Sequence, residues 1–392
     1  MSTTRSRHAR AGTTLALRIG AAALALCALS ARATPLPADL RAPAPGARPR
    51  IEVAFVLDTT GSMSGLIDGA KRKIWQIANA LASGKPTPEI RVALVGYRDR
   101  GDAYVTRVRD LTTDLDAVYA ELQGYRADGG GDGPESVNQA LRDARTELSW
   151  SRDPAVYRAI FLVGDAPPHM DYAQDVPWTE SVRSARAAGI VVNTVQCGDY
   201  AETTQVWQAI AESGAGRYVA IRQDGGMLAL TAPQDAELAA LNRSLADTVL
   251  AWGSAAEQAE LDGKRREALA APAPSAASRL AYLAKTSGRV NAGREDLVDA
   301  VKEGRVDLAH VKPGDLPESL RALSPAERDT LVKAKLAERT RLQRRVAELS
   351  SERDAWIRAE EARLASSGQG DGFDQQVLDA IRAQAKEKGI AY

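Results

Sequence analysis

From Ile51 onward, short apolar runs rich in β-branched residues alternate with segments whose apolar side chains recur at helical spacing. This alternation is the strongest constraint on the fold, because continuous apolar strands separated by helices are typical of a largely parallel sheet covered on both faces. The five clearest runs are IEVAFVLD (51–58), RVALVGYRD (91–99), YRAIFLVGD (157–165), GIVVNTVQCGD (189–199) and GRYVAI (216–221).

A sixth run, YVTRVRDL (104–111), follows the second strand too closely for a helical crossover. It is therefore predicted to pair antiparallel at an edge of the sheet. The sequence thus predicts an α/β fold with a doubly wound, mostly parallel, six-stranded sheet. Helical spacing is found at about 63–82, 114–123, 135–148, 178–188 and 202–213, and an amphipathic helix at about 235–252 is predicted to end the domain that begins at residue 51.

The remainder of the chain differs in texture. An Ala/Pro-rich stretch, APAPSAAS (271–278), marks 253–278 as a linker, and residues 279–392 are rich in Ala, Arg, Glu and Leu, which favours an all-helical region. Ser324 and Glu327 form the pattern of a capping box. Because Arg353 and Glu360 interrupt the apolar seam that follows, a helical hairpin is favoured over a long coiled coil.

The first 33 residues are predicted to be a secretory signal peptide, followed by a Pro/Ala-rich linker at 34–50. A basic, acid-free start precedes an 11-residue apolar run (19–29) and the sequence Ala31-Arg32-Ala33, after which cleavage is expected. A retained anchor would need about 20 apolar residues, and Cys27 leaves a lipoprotein as a further alternative. The mature chain is predicted to be periplasmic or secreted, without a stable membrane span, and the composition favours a bacterial source.

Charge and cysteine content exclude several classes of protein. Residues 1–33 hold five Arg and no acid, which leaves 46 basic residues against 51 acidic ones in the rest of the chain, so binding to nucleic acid is not expected. Beyond residue 33 only Cys197, His169 and His310 remain as soft or imidazole ligands, too few for a structural zinc site. Any metal must therefore be bound mainly by oxygen.

Oxygen-bearing side chains do cluster at strand ends. Asp58, Thr60 and Ser62 follow the first strand, Asp165 follows the strand at 157–164, and Glu135 opens a helix. Ligands of open parallel sheets collect at the carboxyl ends of the strands. Three carboxylates that meet there without a cation would repel one another, and a set of hydroxyl and carboxylate oxygens suits Mg²⁺. A turn with an N-cap is the alternative interpretation of Asp-Thr-Thr-Gly-Ser.

The motif Asp58-Thr-Thr60-Gly-Ser62 resembles the Asp-x-Ser-x-Ser signature of von Willebrand factor type A (vWA) domains, with Thr in place of the first Ser. The resemblance covers about residues 50–252, and Asp132-Gly-Pro-Glu135 is similar to the integrin β-subunit variant, in which Glu replaces a Thr ligand. It implies a metal-ion-dependent adhesion site (MIDAS) for Mg²⁺ or Mn²⁺. The ligands would be Thr60, Ser62 and Glu135 directly and Asp58 and Asp165 mainly through water.

The same resemblance matches Asp99 and Asp132 to ligands of a possible second cation site. Gly130 stands where that site has an Asn, and Gly65 and Leu66 occupy the positions of the paired Asp residues of a further neighbouring site. The likeness to integrins is therefore local.

Three functions of different classes follow from these residues. The first, which is favoured, is an extracytoplasmic adhesion module whose cation engages an acidic side chain of an unidentified partner protein. The second is a structural envelope protein whose helical C-terminal region binds the partner. The third, an enzyme, is not expected. Thr60 stands where phosphatases of the haloacid dehalogenase type carry their general acid, and a Ser62 nucleophile would need a His as base, for which His169 is the available candidate.

Overall fold

A six-stranded sheet lies at the centre of the chain, seen in a computed structural model that describes residues 48–131, 133–228, 230–367 and 372–392. The spatial strand order is β3-β2-β1-β4-β5-β6; β3 pairs antiparallel with β2, and all other pairs are parallel. The predicted doubly wound sheet and its antiparallel edge strand are thus confirmed. The strands are β1 (Arg50–Asp58), β2 (Glu89–Tyr97), β3 (Thr106–Thr112), β4 (Tyr157–Gly164), β5 (Val191–Cys197) and β6 (Ala215–Ile221).

Alternate side chains of the central strands enter two separate apolar cores. In β1, Ile51, Val53 and Phe55 face one core, whereas Ala54 and Val56 face the other. Each large apolar side chain buried in this way contributes about 1.5–3 kcal/mol, so β1 and β4, which are buried on both faces, anchor the fold. The helices around the sheet are α1 (Ser64–Leu81), α2 (Leu115–Gly124), α3 (Val137–Thr146), α4 (Trp178–Ala187) and α5 (Ala201–Ser213).

The C-terminal region is all-helical, as predicted. Its helices are α6 (Asp235–Ala246), α7 (Ala255–Ala270), α8 (Ala273–Thr286), α9 (Leu297–Lys302), α10 (Glu318–Arg321), α11 (Pro325–Ser366) and α12 (Phe373–Ala385). Within the described ranges no helix combines the length and the apolarity needed to cross a membrane. The predicted signal peptide (1–33) and nearly all of the linker at 34–50 lie outside the described residues.

The predicted linker at 253–278 is wrong, because α7 and the first six residues of α8 occupy most of it. Ser254 caps α7 through a capping box with Glu257, and Pro274 stands in the first turn of α8, where a proline costs no hydrogen bond. The small residues of this segment let α8 pack closely on α1, where Tyr282 contacts Trp75 with ring centroids 5.7 Å apart. The helix predicted at 235–252 ends at Ala246.

The predicted helical hairpin is also wrong, because α11 is one helix of 42 residues. The capping box of Ser324 and Glu327 begins it, as predicted. Arg353, predicted to interrupt the seam, lies within it: the side chain is buried and donates to Asp235 Oδ1 at 2.5 Å. Arg339 is likewise buried, between Asp296 and Asp299 at 2.8 and 2.7 Å. A cation fits an apolar seam when a carboxylate on another element neutralises it.

Buried ion pairs also attach the helical region to α2. Arg279 of α8 forms a two-pronged contact with Asp116, at 2.6 and 2.9 Å, and Lys264 of α7 lies 2.6 Å from Asp114. Loss of one partner of such a pair leaves an uncompensated buried charge, which typically costs about 3–5 kcal/mol. These contacts fix α7 and α8 on one side of the sheet domain.

Helix α12 returns to the sheet. Its Phe373, Val377 and Ile381 join the core that contains Phe55, and the Phe373 N–H donates to Gly225 O, just after β6, at 2.9 Å. Residues 232–367 are thus an insertion in the sheet domain. They lie in the chain between β6 and α12, and α12 covers the sheet beside α1. The predicted division into domains 51–252 and 279–392 therefore separates α12 from the sheet on which it packs.

We predict that Phe373→Ala in the full chain lowers the free energy of unfolding by about 3–5 kcal/mol, because it opens a cavity beside Phe55. Urea denaturation followed by circular dichroism measures this change. Asp379→Ala, on the exposed face of the same helix, is the matched control and should change stability by less than about 0.5 kcal/mol. Equal effects of the two substitutions would show that α12 is not part of the sheet domain.

Candidate metal centre

The candidate ligands lie where β1 and β4 end, at the carboxyl-terminal edge of the sheet. Asp58 is the last residue of β1, Asp165 directly follows β4, and Glu135 lies just before α3. An isolated parallel bridge joins Glu135 to Pro168 in the loop after β4. The sheet therefore brings segments separated by up to a hundred residues to one edge, as the sequence analysis predicted.

Hydrogen bonds within the β1 loop orient its two hydroxyl groups. Asp58 Oδ1 accepts from Thr60 N at 2.8 Å and from Thr60 Oγ1 at 2.6 Å, and Thr60 Oγ1 lies 3.5 Å from Ser62 Oγ. Asp58 Oδ2 is buried and has no hydrogen-bond partner. The start of α1 has no side-chain cap, so the alternative interpretation of this motif as an N-cap does not describe it.

Two backbone hydrogen bonds hold Glu135 in place. Its N–H donates to Pro167 O at 2.9 Å, and its carbonyl accepts from His169 N at 3.0 Å. The residue is only 3% exposed, and among the described residues Oε2 has no hydrogen-bond partner. A buried carboxylate oxygen without a donor is costly unless a cation or a proton satisfies it.

Gly130 allows the close approach of Glu135 to Thr60. It has a φ of +77°, and a Cβ at this position would lie 3.1 Å from Glu135 Oε1 and 3.2 Å from Thr60 Cβ. The same loop is fastened to the β1 loop by a hydrogen bond from Gly61 N to Gly129 O at 3.2 Å. With this φ and these distances, a side chain at position 130 would be strained and would press against both candidate ligands.

Asp165 occupies the opposite wall of a depression of about 320 Å³ that Ser62 and Glu135 also line. Its carbonyl accepts from Thr203 Oγ1 at 2.8 Å, which holds the residue to α5. Cys197, the last residue of β5, is buried beneath the same depression. Ser62, Glu135 and Asp165 therefore share one solvent-accessible space.

The three site carboxylates are spaced more widely than three direct ligands of one ion. Within the part of the chain that the structure describes, only Asp114, Glu260 and Glu295 bring three candidate ligand atoms within 4.8 Å of one another. That group surrounds the ammonium of Lys264, at 2.6, 2.9 and 3.5 Å, which already occupies the space between the three carboxylates. At the sheet edge, the hydroxyls of Thr60 and Ser62 complete the donor set.

Burial and mutual repulsion raise the pKa values of two site carboxyls. Burial raises the pKa of Asp58 to about 7, against two hydrogen bonds from Thr60 and with a further increase from Asp165. Burial, followed by the charges of Asp58, Asp99, Asp102 and Asp165, raises the pKa of Glu135 to about 9. The protein alone supplies too little positive charge here, which is the condition that a divalent cation relieves.

Asp99, predicted for a second cation site, has other partners. Its Oδ1 accepts from Ser136 Oγ at 3.0 Å and its Oδ2 from Tyr172 Oη at 2.7 Å, and His169 Nε2 lies 3.5 Å from Oδ2. These contacts engage both oxygens of Asp99 and link the loop after β2 to the loop after β4. Asp132, the other predicted ligand, lies outside the described residues.

Sequence reasoning missed Gln223. This residue follows β6, and its side-chain amide donates to Asp165 Oδ2 at 2.6 Å and to Ser62 O at 3.4 Å. It therefore fixes the distance between the two sides of the depression. Asp58 and Asp165 were predicted because ligands collect where parallel strands end, and Gln223 also follows a strand. A side-chain amide, however, is a weaker signal of a metal centre than a carboxylate.

Comparisons with known proteins agree with this fold. The sequence model of the family described as von Willebrand factor A domain matches residues 52–231. The rat von Willebrand factor A domain-containing protein 7 is 35% identical over 120 residues, which cover 31% of this chain and 12% of the relative. An ariadne-like RING finger protein of Acanthamoeba polyphaga mimivirus is 23% identical over 183 residues, 43% of this chain and 18% of the relative. The chain thus matches less than a fifth of the length of these curated relatives.

Two solved structures are similar to part of the chain. Proximal thread matrix protein 1 of the mussel byssus, in a structure described with a zinc-occupied MIDAS motif, is 16% identical and has a TM-score of 0.36; the match covers 45% of this chain and 43% of that one. The VWA domain of SpRpn10 is 13% identical with a TM-score of 0.34, over 45% of this chain and 89% of that one. The family match over residues 52–231, together with the sheet topology, shows that the chain contains a von Willebrand factor A domain.

Proposed function

We propose that the vWA domain is an extracytoplasmic protein-binding module that holds Mg²⁺ or Mn²⁺ and uses it to engage an acidic side chain of a partner protein. Thr60, Ser62 and Glu135 would be the direct ligands, and Asp58 and Asp165 would act mainly through bound water. This is the integrin β-like variant of the MIDAS motif, in which a Glu is a ligand.

The observation that carries the proposal is the state of two buried carboxylates. Asp58 Oδ2 and Glu135 Oε2 both lack a hydrogen-bond partner, and both belong to carboxyls whose pKa values are raised. Asp58 orients the Thr60 hydroxyl, and Glu135 and Thr60 both lie against Gly130. A hard divalent ion prefers this set of carboxylate and hydroxyl donors.

The open depression supports a binding role. Ser62 is exposed, and the space above it is shared with Glu135 and Asp165, so a carboxylate from another protein can reach a cation held there. A metal–carboxylate contact of this kind is a strong, charge-assisted interaction, and the surrounding loops would supply its specificity.

We propose binding rather than catalysis because the group beside the Ser62 hydroxyl is the hydroxyl of Thr60, which is not a general base. Thr60 Oγ1 lies 3.5 Å from Ser62 Oγ. Both ring nitrogens of His169 lie within 3.5 Å of carboxylates, those of Asp99 and Asp171, which supports a role in holding the loop after β4. The extracytoplasmic location rests on the predicted signal peptide.

We predict that millimolar Mg²⁺ or Mn²⁺ raises the melting temperature of the full-length chain and that EDTA reverses the shift, because the ion binds the folded state. Glu135→Gln should abolish the shift without lowering the metal-free melting temperature, since Glu135, with a pKa of about 9, is already largely uncharged without the metal and Gln is a neutral side chain of the same shape. Differential scanning fluorimetry measures both quantities.

Asp128→Asn is the matched control for this experiment. Asp128 lies in the loop next to the site, but its side chain is 81% exposed, so its metal-dependent shift should equal that of the natural sequence. An unchanged shift in Glu135→Gln would place the ion elsewhere.

We predict that metal binding releases protons and strengthens as the pH rises. The pKa values of Asp58 and Glu135 are raised above 3.8 and 4.5, so the metal-free folded state holds protons that the unfolded chain loses. The metal-free stability contributed by these groups therefore falls as the pH rises from about 4 to about 9, and the metal-induced shift should be larger at about pH 8.5 than at about pH 6. Calorimetry in buffers of different ionisation enthalpy would count the released protons; a count of zero at neutral pH would contradict the assignment.

The partner contact is tested by affinity capture from an envelope extract, with the full-length chain immobilised in Mg²⁺ or in EDTA. Proteins retained in Mg²⁺ by the natural sequence and by Asp128→Asn should be lost with Ser62→Ala, and free acetate should compete for them. Retention that is indifferent to both EDTA and Ser62→Ala would favour the alternative in which the helical region binds the partner. Deleting 272–392 is unsuitable for this purpose, because it removes α12 from the sheet.

A further inference from the structure

A second depression, of about 730 Å³, lies at the other end of the sheet domain from the cation site. The end of α3, the loop at 148–154, the start of β4 and the end of α4 surround it. Its charged lining side chains are Arg145, Arg152 and Arg158, and no carboxylate lines it. We call it the arginine pocket.

Arg158, the second residue of β4, is the unusual member of this pocket. Its side chain is buried, with the residue only 7% exposed, yet among the described residues no carboxylate oxygen lies within 4.0 Å of its guanidinium. One guanidinium nitrogen donates to Ser151 O at 2.5 Å, and Nε is buried without a hydrogen-bond partner. Buried cations are normally paired, because an unpaired buried charge is costly.

Two acids, Glu52 and Asp153, act on Arg158 through space, and both have other partners: Asp153 Oδ1 accepts from Ala155 N at 2.9 Å. Glu52 lies opposite Arg158 in the sheet register and is fully buried. Its Oε1 pairs with Arg91 at 2.7 Å, and its Oε2 accepts from Ser151 N at 2.8 Å. The Glu52 carboxylate therefore lies near two arginines, and its ion pair is with Arg91.

Arg145 adds a second unsatisfied group, since its Nε is also buried without a partner. The carboxyl-terminal ends of α3 and α4 border the pocket and compensate part of the positive charge. Each helix end carries only about half a negative charge, against three whole positive charges. The lining of the arginine pocket therefore keeps a net positive charge, which favours the binding of an anion.

We propose that the arginine pocket binds an oxyanion, a phosphate or carboxylate group, through the guanidinium groups of Arg158 and Arg145, with Arg152 at the exposed rim. Guanidinium groups present paired N–H donors that match such oxyanions. Apolar walls from Trp150 and Ile190 would contact the remainder of a small organic anion. This site is independent of the proposed cation site.

The test uses the full-length chain freed of divalent ions, with inorganic phosphate and succinate as probes and chloride at the same ionic strength as the control. At least one probe should raise the melting temperature while chloride does not, and the responding probe identifies the anion class. Arg158→Met should lose the response without a lower melting temperature in chloride, since it removes an unpaired buried cation. Arg183→Gln, an exposed arginine of α4 outside the pocket, should respond like the natural sequence.

No response of the natural sequence to either probe, or an equal response of Arg158→Met, would overturn the proposal. If Arg158→Met does not fold, Arg152→Gln provides the test, because its position is exposed. Calorimetry should then show binding of the responding probe weakened by about tenfold, the effect of losing one charge-assisted hydrogen bond. An unchanged affinity would overturn the proposal.

Discussion

The sheet edge of this vWA domain depends on an electrostatic imbalance: carboxyl groups accumulate where parallel strands end, with too few cations of the protein's own to neutralise them. Burial raises the pKa of Glu135 to about 9 and that of Asp58 to about 7, and one oxygen of each lacks a donor. Elsewhere the chain neutralises buried charge internally, as Arg353 does with Asp235 and Arg279 with Asp116. The contrast sets the candidate metal centre apart from the structural ion pairs.

The inserted helices and the cation site meet in one loop. Gln223 connects Asp165 and the backbone of Ser62, and two residues later Gly225 accepts the hydrogen bond that begins α12. A Cβ at Gly65, at the start of α1, would lie 3.0 Å from the Asp224 backbone, which is closer than an ordinary contact. The loop after β6 thus packs tightly on α1 beside the site.

Much of the architecture could be predicted because it is encoded locally. Continuous apolar runs identified the strands of the sheet, the short connection before Thr106 identified the antiparallel edge, and Ser324 with Glu327 identified the start of α11. The predicted linker at 253–278 and the predicted helical hairpin were wrong for one reason: local composition does not show how a helix accommodates Pro, Ala and Arg. Pro274 is harmless in a first helical turn, and Arg353 is stabilised by a carboxylate 118 residues away.

By itself, then, the sequence determined the class of fold, the strands and which oxygen-bearing side chains follow them. These features could be predicted because the spacing of apolar residues and the place where a strand ends both depend on residues close together in the chain. Only the tertiary structure decided that α12 completes the sheet domain, that Gln223 spans the site, that Asp99 is held by Ser136 and Tyr172, and that Arg158 is buried without a carboxylate partner. Each of these depends on contacts between distant segments, and the charge that a buried group retains is set by neighbours that no local pattern specifies.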